Sequence, residues 1–232
     1  FADVFACRKK EDKKMYAMKV VPKKKIRNFS MRKQLDTEIK ILSMINHKNL
    51  LHLENYFEDD YKFYILTQYV QGEELFRKIE KKKIPEYKIA RYIYQLSFAV
   101  EYLHKKNIVH RDIKPENIII TNNDELVLCD FGLSDIGTGN NDKWEGKYGT
   151  PQFMCPEMID NNEYDYRCDL WSIGILTYEV ATCSSPYKTA EDEYDENIYE
   201  KISNFIIFYP PDLSNDIVDF ISKLLKKNPD ER

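Results

Sequence analysis

The segment VHRDIKPEN, residues 109–117, places several charged side chains between two apolar stretches. Before it, apolar residues recur at every third or fourth position over residues 89–103, which predicts an amphipathic helix of about five turns. After it, NIIIT (117–121) and LVLCD (126–130) predict two short strands. Charge between buried elements marks either an ordinary polar loop or a catalytic one, and the rest of the chain decides between them.

Composition narrows the class of protein. The 232 residues are enough for one large domain or two small lobes sharing a cleft, and 43% hydrophobic residues provide a substantial core. The formal net charge of −4 gives no argument for nucleic acid or a membrane as partner. No apolar run approaches the roughly 18 residues of a spanning helix. Five scattered cysteines without CxxC pairing favour a reducing compartment, so we expect an intracellular protein of the cytoplasm or nucleus.

The beginning of the chain is β-rich. The run MYAMKVV (15–21) alternates in polarity and predicts a strand, and FYILTQYV (63–70) predicts a buried strand. Between them, residues 31–45 carry apolar side chains at helical spacing. We therefore expect a small β-rich N-lobe over residues 1–70.

The remainder of the chain is helical in character from Gly72 onward. The stretch 169–182 is apolar nearly all round and predicts a core helix, and a last amphipathic helix follows around 217–225. Residues 136–150 are polar and Gly-rich without an apolar period, which predicts a long functional loop. The fold class expected is α+β and bilobal, with a larger helical C-lobe over residues 71–232.

Three polar side chains are expected to meet at the junction of the lobes. Asp112 and Asn117 precede the first of the two short strands, and Asp130 ends the second. A tight turn between those strands would bring all three to one edge. Carboxylate and amide oxygens suit Mg²⁺, and the remaining Asp112 could accept a proton from a hydroxyl group.

HRDIKPEN and the DFG at 130–132 resemble the catalytic and metal-binding motifs of the eukaryotic protein kinases. The resemblance implies a serine/threonine protein kinase that uses ATP and Mg²⁺ and acts on protein substrates. It assigns six catalytic residues: Lys19 in YAMK for the α- and β-phosphates, Glu38 as its partner, Asp112 for the acceptor hydroxyl, Lys114 for the γ-phosphate, and Asn117 and Asp130 for the metal.

The same resemblance covers further positions. GTPQFMCPE (149–157) resembles the substrate-binding end of an activation segment spanning about 130–157. Asp169 matches a core-helix aspartate, and Arg232 matches a late arginine that pairs with Glu157. Each has an ordinary alternative, such as a helix N-cap for Asp169, but matches in the right order favour kinase ancestry.

An adenine site is also implied by the resemblance. The base would meet the backbone of Gln68 to Val70, with Thr67 as a small gatekeeper. Val4, Ala17 and Ile119 would sandwich the ring, and their alternative role is ordinary core packing.

Substrate preference follows from a few positions. Lys114 resembles the γ-phosphate lysine of Ser/Thr kinases and Thr150 would support the same loop, so the resemblance implies Ser/Thr rather than Tyr as acceptor. Three carboxylates, those of Glu74, Glu116 and Glu179, match positions that read basic residues in related kinases, so we expect Arg or Lys two or three residues before the acceptor. The alternative for Glu179 is a plain surface charge.

The sequence departs from the family pattern at its start. Phe1 stands at the tip of the Gly-rich loop and Ala2 at its third glycine, so we expect the first strand and the final helices of the domain to lie outside this sequence. Ala2 also adds a methyl group where backbone approaches phosphate.

The activation loop is a second departure. Arg111 implies a phosphate pocket, but Gly146 stands where Aurora-type kinases carry the phosphorylated residue. We expect Glu145 to supply partial charge, with Thr138 and Ser134 as other possible phosphorylation sites.

Several alternatives stay open. PEMI (156–159) and the C-terminal segments resemble Aurora kinases, whereas GEELF (72–76) and RCDLWSIG (167–174) equally resemble calcium/calmodulin-dependent kinases. A pseudokinase scaffold is disfavoured because the catalytic residues are intact, and GTPQFMCPE disfavours a small-molecule phosphotransferase. An activator protein or an upstream kinase is a possible further partner.

Overall fold

The computed structural model describes residues 2–139, 142–160, 162–187, 198–204 and 207–232. Its strands are Asp3–Arg8 (β1), Met15–Pro22 (β2), Leu53–Glu58 (β3), Lys62–Gln68 (β4), Gly72–Glu74 (β5), Ile108–Val109 (β6), Ile118–Thr121 (β7), Leu126–Leu128 (β8) and Asp135–Ile136 (β9). Its helices are Phe29–Met44 (α1), Leu75–Lys81 (α2), Glu86–His104 (α3), Pro156–Ile159 (α4), Cys168–Thr182 (α5), Ile198–Ser203 (α6) and Asn215–Leu224 (α7).

An antiparallel four-stranded sheet in the order β1-β2-β4-β3 forms the first lobe. Because side chains alternate along a strand, Ala17 and Lys19 of β2 point to one face. The register places Val4 of β1 beside Lys19, and Thr67 of β4 beside Ala17. The sheet therefore collects on one face the residues that the sequence assigned to nucleotide binding.

Helix α1 packs against this sheet through one face. Asn28 caps it by accepting a hydrogen bond from the backbone N–H of Met31 at 2.9 Å. Its buried residues include Leu35 and Leu42, and Glu38 is buried with them. The apolar face of α1 therefore places the Glu38 carboxylate in the interior between the lobes.

The second lobe is built around α3, α5 and α7. Helix α5 is buried nearly all round, as its uniform apolar sequence predicted, and Trp171 is among the largest fully buried side chains. Helix α7 begins at the cap Ser214, whose hydroxyl accepts from the backbone N–H of Ile217. None of the helices in the described ranges is long and apolar enough to cross a membrane.

Two small sheets are formed by short strands between residues 72 and 136. Strands β5, β7 and β8 form one of them, and β6 pairs with β9 in the other. Helix α2 begins at Leu75 and not at Gly72, because Gly72 lies in strand β5. A Cβ atom at Gly72 would come 2.3 Å from the carbonyl oxygen of Ile120. The long loop also contains pairing, since Trp144 and Tyr164 exchange backbone hydrogen bonds of 2.8 and 2.9 Å.

The predicted α+β class is confirmed, with a sheet-based first lobe and a helical second lobe. The boundary predicted at residue 70 falls between β4 and β5 and stays a prediction.

A buried ion pair in the helical lobe joins Glu157 and Arg232. The Arg232 guanidinium donates to the Glu157 carboxylate at 2.6 and 2.7 Å and lies over the Trp171 ring at 5.0 Å. The Arg232 side chain is fully buried and that of Glu157 is 9% exposed. We expect Glu157→Gln to lower the free energy of unfolding by about 3 kcal/mol, because a buried guanidinium loses its counter-charge.

Urea denaturation would measure the loss. The matched control is Glu101→Gln, which breaks an exposed pair with Lys105 and is expected to have little effect. Equal losses in the two variants would contradict a structural role for the buried pair.

Candidate active site

A lysine and a glutamate from different elements form an ion pair in the cleft. Lys19 Nζ of β2 lies 2.6 Å from Glu38 Oε1 of α1 and 3.6 Å from Asp130 Oδ1. Burial alone would lower the pKa of Lys19, but the two carboxylates outweigh it and the pKa is raised. Lys19 is therefore held as an ammonium group in the cleft between the lobes.

The Asp112 carboxylate is the centre of a dense hydrogen-bond network. Its Oδ2 accepts from Asn117 Nδ2 at 2.8 Å and lies 3.0 Å from Lys114 Nζ. Its Oδ1 accepts from the backbone N–H of Thr150 at 3.0 Å and from the Thr150 hydroxyl at 2.9 Å. Lys114 donates in turn to that hydroxyl at 2.7 Å. The network joins the catalytic segment to the end of the activation segment.

The backbone of the catalytic segment is held in an uncommon conformation. Arg111 has φ +66° and Asp130 has φ +56°, both in the left-handed region. The fully buried Asp169 carboxylate accepts from the backbone N–H groups of His110 and Arg111, each at 2.9 Å. Such conformations cluster at functional sites and persist where surrounding contacts impose them, as Asp169 does here.

The DFG segment packs against the same region. The Phe131 ring is buried and meets the His110 ring edge-on, with centroids 5.2 Å apart. The backbone N–H of Gly132 donates to Asp130 Oδ1 at 3.1 Å. Burial would raise the pKa of Asp130, but Lys19 and this N–H hold it below its usual range. Asp130 is therefore an anionic oxygen donor at neutral pH.

The residues assigned to metal binding have the right donor chemistry for Mg²⁺. The Asn117 amide nitrogen is engaged by Asp112, which leaves its carbonyl oxygen, and Asp130 contributes carboxylate oxygens. Hard oxygen donors of this kind, completed by phosphate oxygens and water, suit the cation. Within the described part of the chain, no cluster of three or more His, Cys, Asp or Glu side chains could hold a metal.

A cavity of about 320 Å³ lies between the lobes. Every residue that the sequence assigned to adenine contact lines it: Val4, Ala17, Thr67, Gln68, Val70 and Ile119. Lys19, Glu38 and Asp130 line it as well. The structure thus brings the expected contacts together, and their roles toward a nucleotide stay predictions.

Sequence reasoning missed other lining residues. Leu51 and Ile65 belong to this cavity, as does Cys129, whose pKa burial raises to about 12. No local signal separates them from ordinary core residues. A neighbouring cavity includes Ala2, Lys19 and Gly132, whereas Phe1 lies outside the described residues.

The three carboxylates assigned to substrate reading have different surroundings. Glu74 is half-buried and pairs with Arg77 at 3.0 Å. Glu179 is mostly buried, and within the described part of the chain its Oε2 has no hydrogen-bond partner. Burial, together with the nearby charge of Glu116, raises the pKa of Glu179 to about 7. These surroundings argue against the alternative of a plain surface charge at Glu179.

The structure corrects two expectations about the activation loop. Among the described residues, the carboxylate within ion-pair distance of Arg111 is that of Asp135, at 3.5 Å, and not that of Glu145. Ser134 is buried and donates to the carbonyl oxygen of His110, so it is inaccessible for phosphorylation as the chain is folded here. Thr138 is exposed and donates to Asp142.

The protein kinase domain family matches residues 1–232, so this chain belongs to the protein kinases. It is 38% identical to Aurora kinase A-B of Xenopus laevis over all of this chain and 56% of that relative. It is 36% identical to the Aurora kinase of Saccharomyces cerevisiae (100% of this chain, 62% of the relative) and 35% identical to Aurora kinase C of Mus musculus (100% and 83%). The predicted resemblance to Aurora kinases is confirmed, and the chain spans little more than half the length of the first of these relatives.

Proposed function

We propose that this chain transfers the γ-phosphoryl group of ATP to serine or threonine in protein substrates. The observation that carries the proposal is the Asp112 carboxylate, bonded at once to Asn117 and Thr150 and 3.0 Å from Lys114. Protein kinases use ATP and Mg²⁺, and little covalent chemistry is asked of the protein beyond positioning and charge neutralisation.

Each group has a task that follows from its position. Lys19, oriented by Glu38, neutralises and aligns the α- and β-phosphates. Asp112 orients the acceptor hydroxyl and accepts its proton. Lys114 stabilises charge on the transferred group, and its bond to Thr150 joins it to the segment that receives the peptide. When bound at Asn117 and Asp130, Mg²⁺ would neutralise phosphate charge.

The test is ATP turnover by the full-length protein on a Ser/Thr peptide library. We expect phosphate transfer to hydroxyl side chains and none to control peptides in which Ser and Thr are replaced by Ala. A chain that binds ATP but never phosphorylates a peptide would instead be a pseudokinase scaffold.

We also propose that substrates carry basic residues before the acceptor. Supporting this, Glu179 has a carboxylate oxygen that bonds to none of the described residues and lies close to Glu116, and an arginine guanidinium would satisfy it. Since the pKa of Glu179 is about 7, its charge grows as the pH rises through neutrality.

We expect the preference for Arg over Ala in the peptide to increase between pH 6 and pH 8 in the wild type. In Glu179→Gln it should be several-fold weaker and lose that pH dependence, since the amide carries no charge. The test measures kcat/KM for pairs of peptides that carry Arg or Ala before the acceptor. The matched control is Glu80→Gln, on the exposed face of α2. An unchanged Arg preference in Glu179→Gln would remove this residue from substrate reading.

We propose an intracellular location, in the cytoplasm or nucleus, for the whole protein. The described cysteines are all free, in keeping with a reducing compartment. An activator protein or an upstream kinase remains part of this proposal.

A further inference from the structure

Arg111 of the catalytic segment is almost fully covered. Its side chain is 7% exposed, and it donates from Nε to the carbonyl oxygen of Leu133 at 2.7 Å and from Nη1 to the Tyr164 hydroxyl at 3.3 Å. The Cζ atom of Arg111 lies over the Tyr148 ring, 4.2 Å from its centre, which is a cation–π contact. Asp135 lies 3.5 Å from Nη2, so the cation has both polar and aromatic partners.

Gly146 makes room for the Tyr148 ring. Its φ of +90° is a conformation that side chains of L-residues rarely adopt, and a Cβ there would lie 3.1 Å from Cε2 of Tyr148. A threonine at position 146 would be strained in its backbone and pressed against the ring. This arrangement therefore requires a glycine at position 146, where Aurora-type kinases carry the phosphorylated residue.

The chain after Tyr148 runs directly onto the catalytic residues. Gly149 has φ +108°, and a Cβ at this position would come 2.3 Å from the carbonyl oxygen of Arg111. The next residue, Thr150, bonds to Asp112 through both its N–H and its hydroxyl. Residues 146–150 are thus held against Arg111 and Asp112 by the ring contact, the close backbone approach and these hydrogen bonds. We call this set of contacts the clamp.

We propose that Tyr148 is a positioning residue that holds the clamp closed without phosphorylation of the activation loop. The ring lies against the guanidinium from the loop side, and this contact keeps Thr150 on Asp112. The inference rests on the proposed kinase function for its kinetic part, but closure of the clamp is measurable without turnover.

The kinetic test uses the full-length protein after phosphatase treatment. Tyr148→Leu keeps an apolar side chain but removes the ring, and we expect kcat/KM for the peptide to fall about three- to thirtyfold, the span of a cation–π contact. ATP affinity should be unaffected, because Tyr148 is not among the residues that line the nucleotide cavity. Tyr148→Phe keeps the ring and should restore most of the lost turnover. Tyr87→Leu, an exposed tyrosine on α3, is the matched control.

A second measurement follows the clamp itself. Amide hydrogen exchange at Thr150 reports its bond to Asp112, and we expect faster exchange in Tyr148→Leu than in wild type or Tyr148→Phe. Gly146→Thr should likewise speed exchange and lower turnover, although it restores a hydroxyl at the family's phosphorylation position.

The outcomes separate the two proposals. Wild-type protein that transfers no phosphate, with exchange changed as expected, would overturn the kinase function and support the clamp. Equal exchange in wild type and Tyr148→Leu would overturn the clamp, as would turnover that disappears when a phosphate mapped to residues 130–157 is removed. Higher activity of Gly146→Thr after phosphatase treatment would also overturn it.

Discussion

Asp112→Asn is expected to lower kcat by about 10²- to 10⁴-fold, the contribution typical of a positioned general base. The amide cannot take up the hydroxyl proton. It also turns a donor toward groups that already donate, since Oδ1 faces Thr150 and Oδ2 faces Asn117 and Lys114. The loss should appear in kcat, with ATP affinity close to wild type, because Asp112 lies outside the residues that line the nucleotide cavity.

Single-turnover transfer to a Ser/Thr peptide measures the chemical step, and nucleotide binding is measured separately. Asp124→Asn is the matched control, because Asp124 also accepts from two side chains, Lys88 and Tyr92, but lies at the turn between β7 and β8. A kcat for Asp112→Asn within tenfold of wild type would mean that another group accepts the proton.

The clustering of the candidate site residues could be predicted because several of them lie at short sequence spacing. Asp112, Lys114 and Asn117 lie within six residues, and the turn between two predicted strands leaves Asp130 close by. Lys19 and Glu38 were harder, because on pattern alone they are a strand lysine and a solvated helix glutamate. Only the family resemblance joined them, and the structure places them 2.6 Å apart.

The lining of the cavity between the lobes was predicted in part, for a physical reason. Val4, Ala17 and Ile119 were named through the resemblance, whereas Leu51 and Ile65 were missed. Apolar residues that face a cleft and those that face a core satisfy the same periodicity. Which of them line the cavity depends on how the lobes approach, and no local pattern carries that information.

The surroundings of Arg111 could not be read from the sequence. The motif predicted that the Arg111 guanidinium binds a phosphate group, with the Glu145 carboxylate as a substitute for that phosphate. In the structure, left-handed backbone at Gly146 and Gly149 folds the loop so that Tyr148 reaches the guanidinium. Composition marks these glycines as loop formers but does not say which way the loop turns.

Asp169→Asn is expected to destabilise the domain by about 3–5 kcal/mol and to slow turnover about a hundredfold. Its carboxylate is fully buried and accepts from His104 Nε2 at 2.8 Å as well as from the N–H groups of His110 and Arg111. An amide has one oxygen for these donors and turns its own donor toward the rest. The catalytic segment then loses the contact that fixes the left-handed backbone of Arg111. Because Asp112 is the next residue, its carboxylate loses its fixed position as well.

The pH dependence gives a second signature of the same carboxylate. Burial would raise the pKa of Asp169, but His104 and the backbone N–H groups outweigh it and hold the pKa below the usual 3.8. Its contribution to stability is therefore complete above that value and is lost as the pH falls through the lower pKa of the folded state. Denaturation from pH 7 to pH 3 should show the gap between wild type and Asp169→Asn narrowing only at the acid end. Asp219→Asn, in an exposed pair with Lys223, is the control and should follow wild type throughout. A gap that stays constant with pH, or turnover unchanged in Asp169→Asn, would show that this carboxylate does not hold the catalytic segment in place.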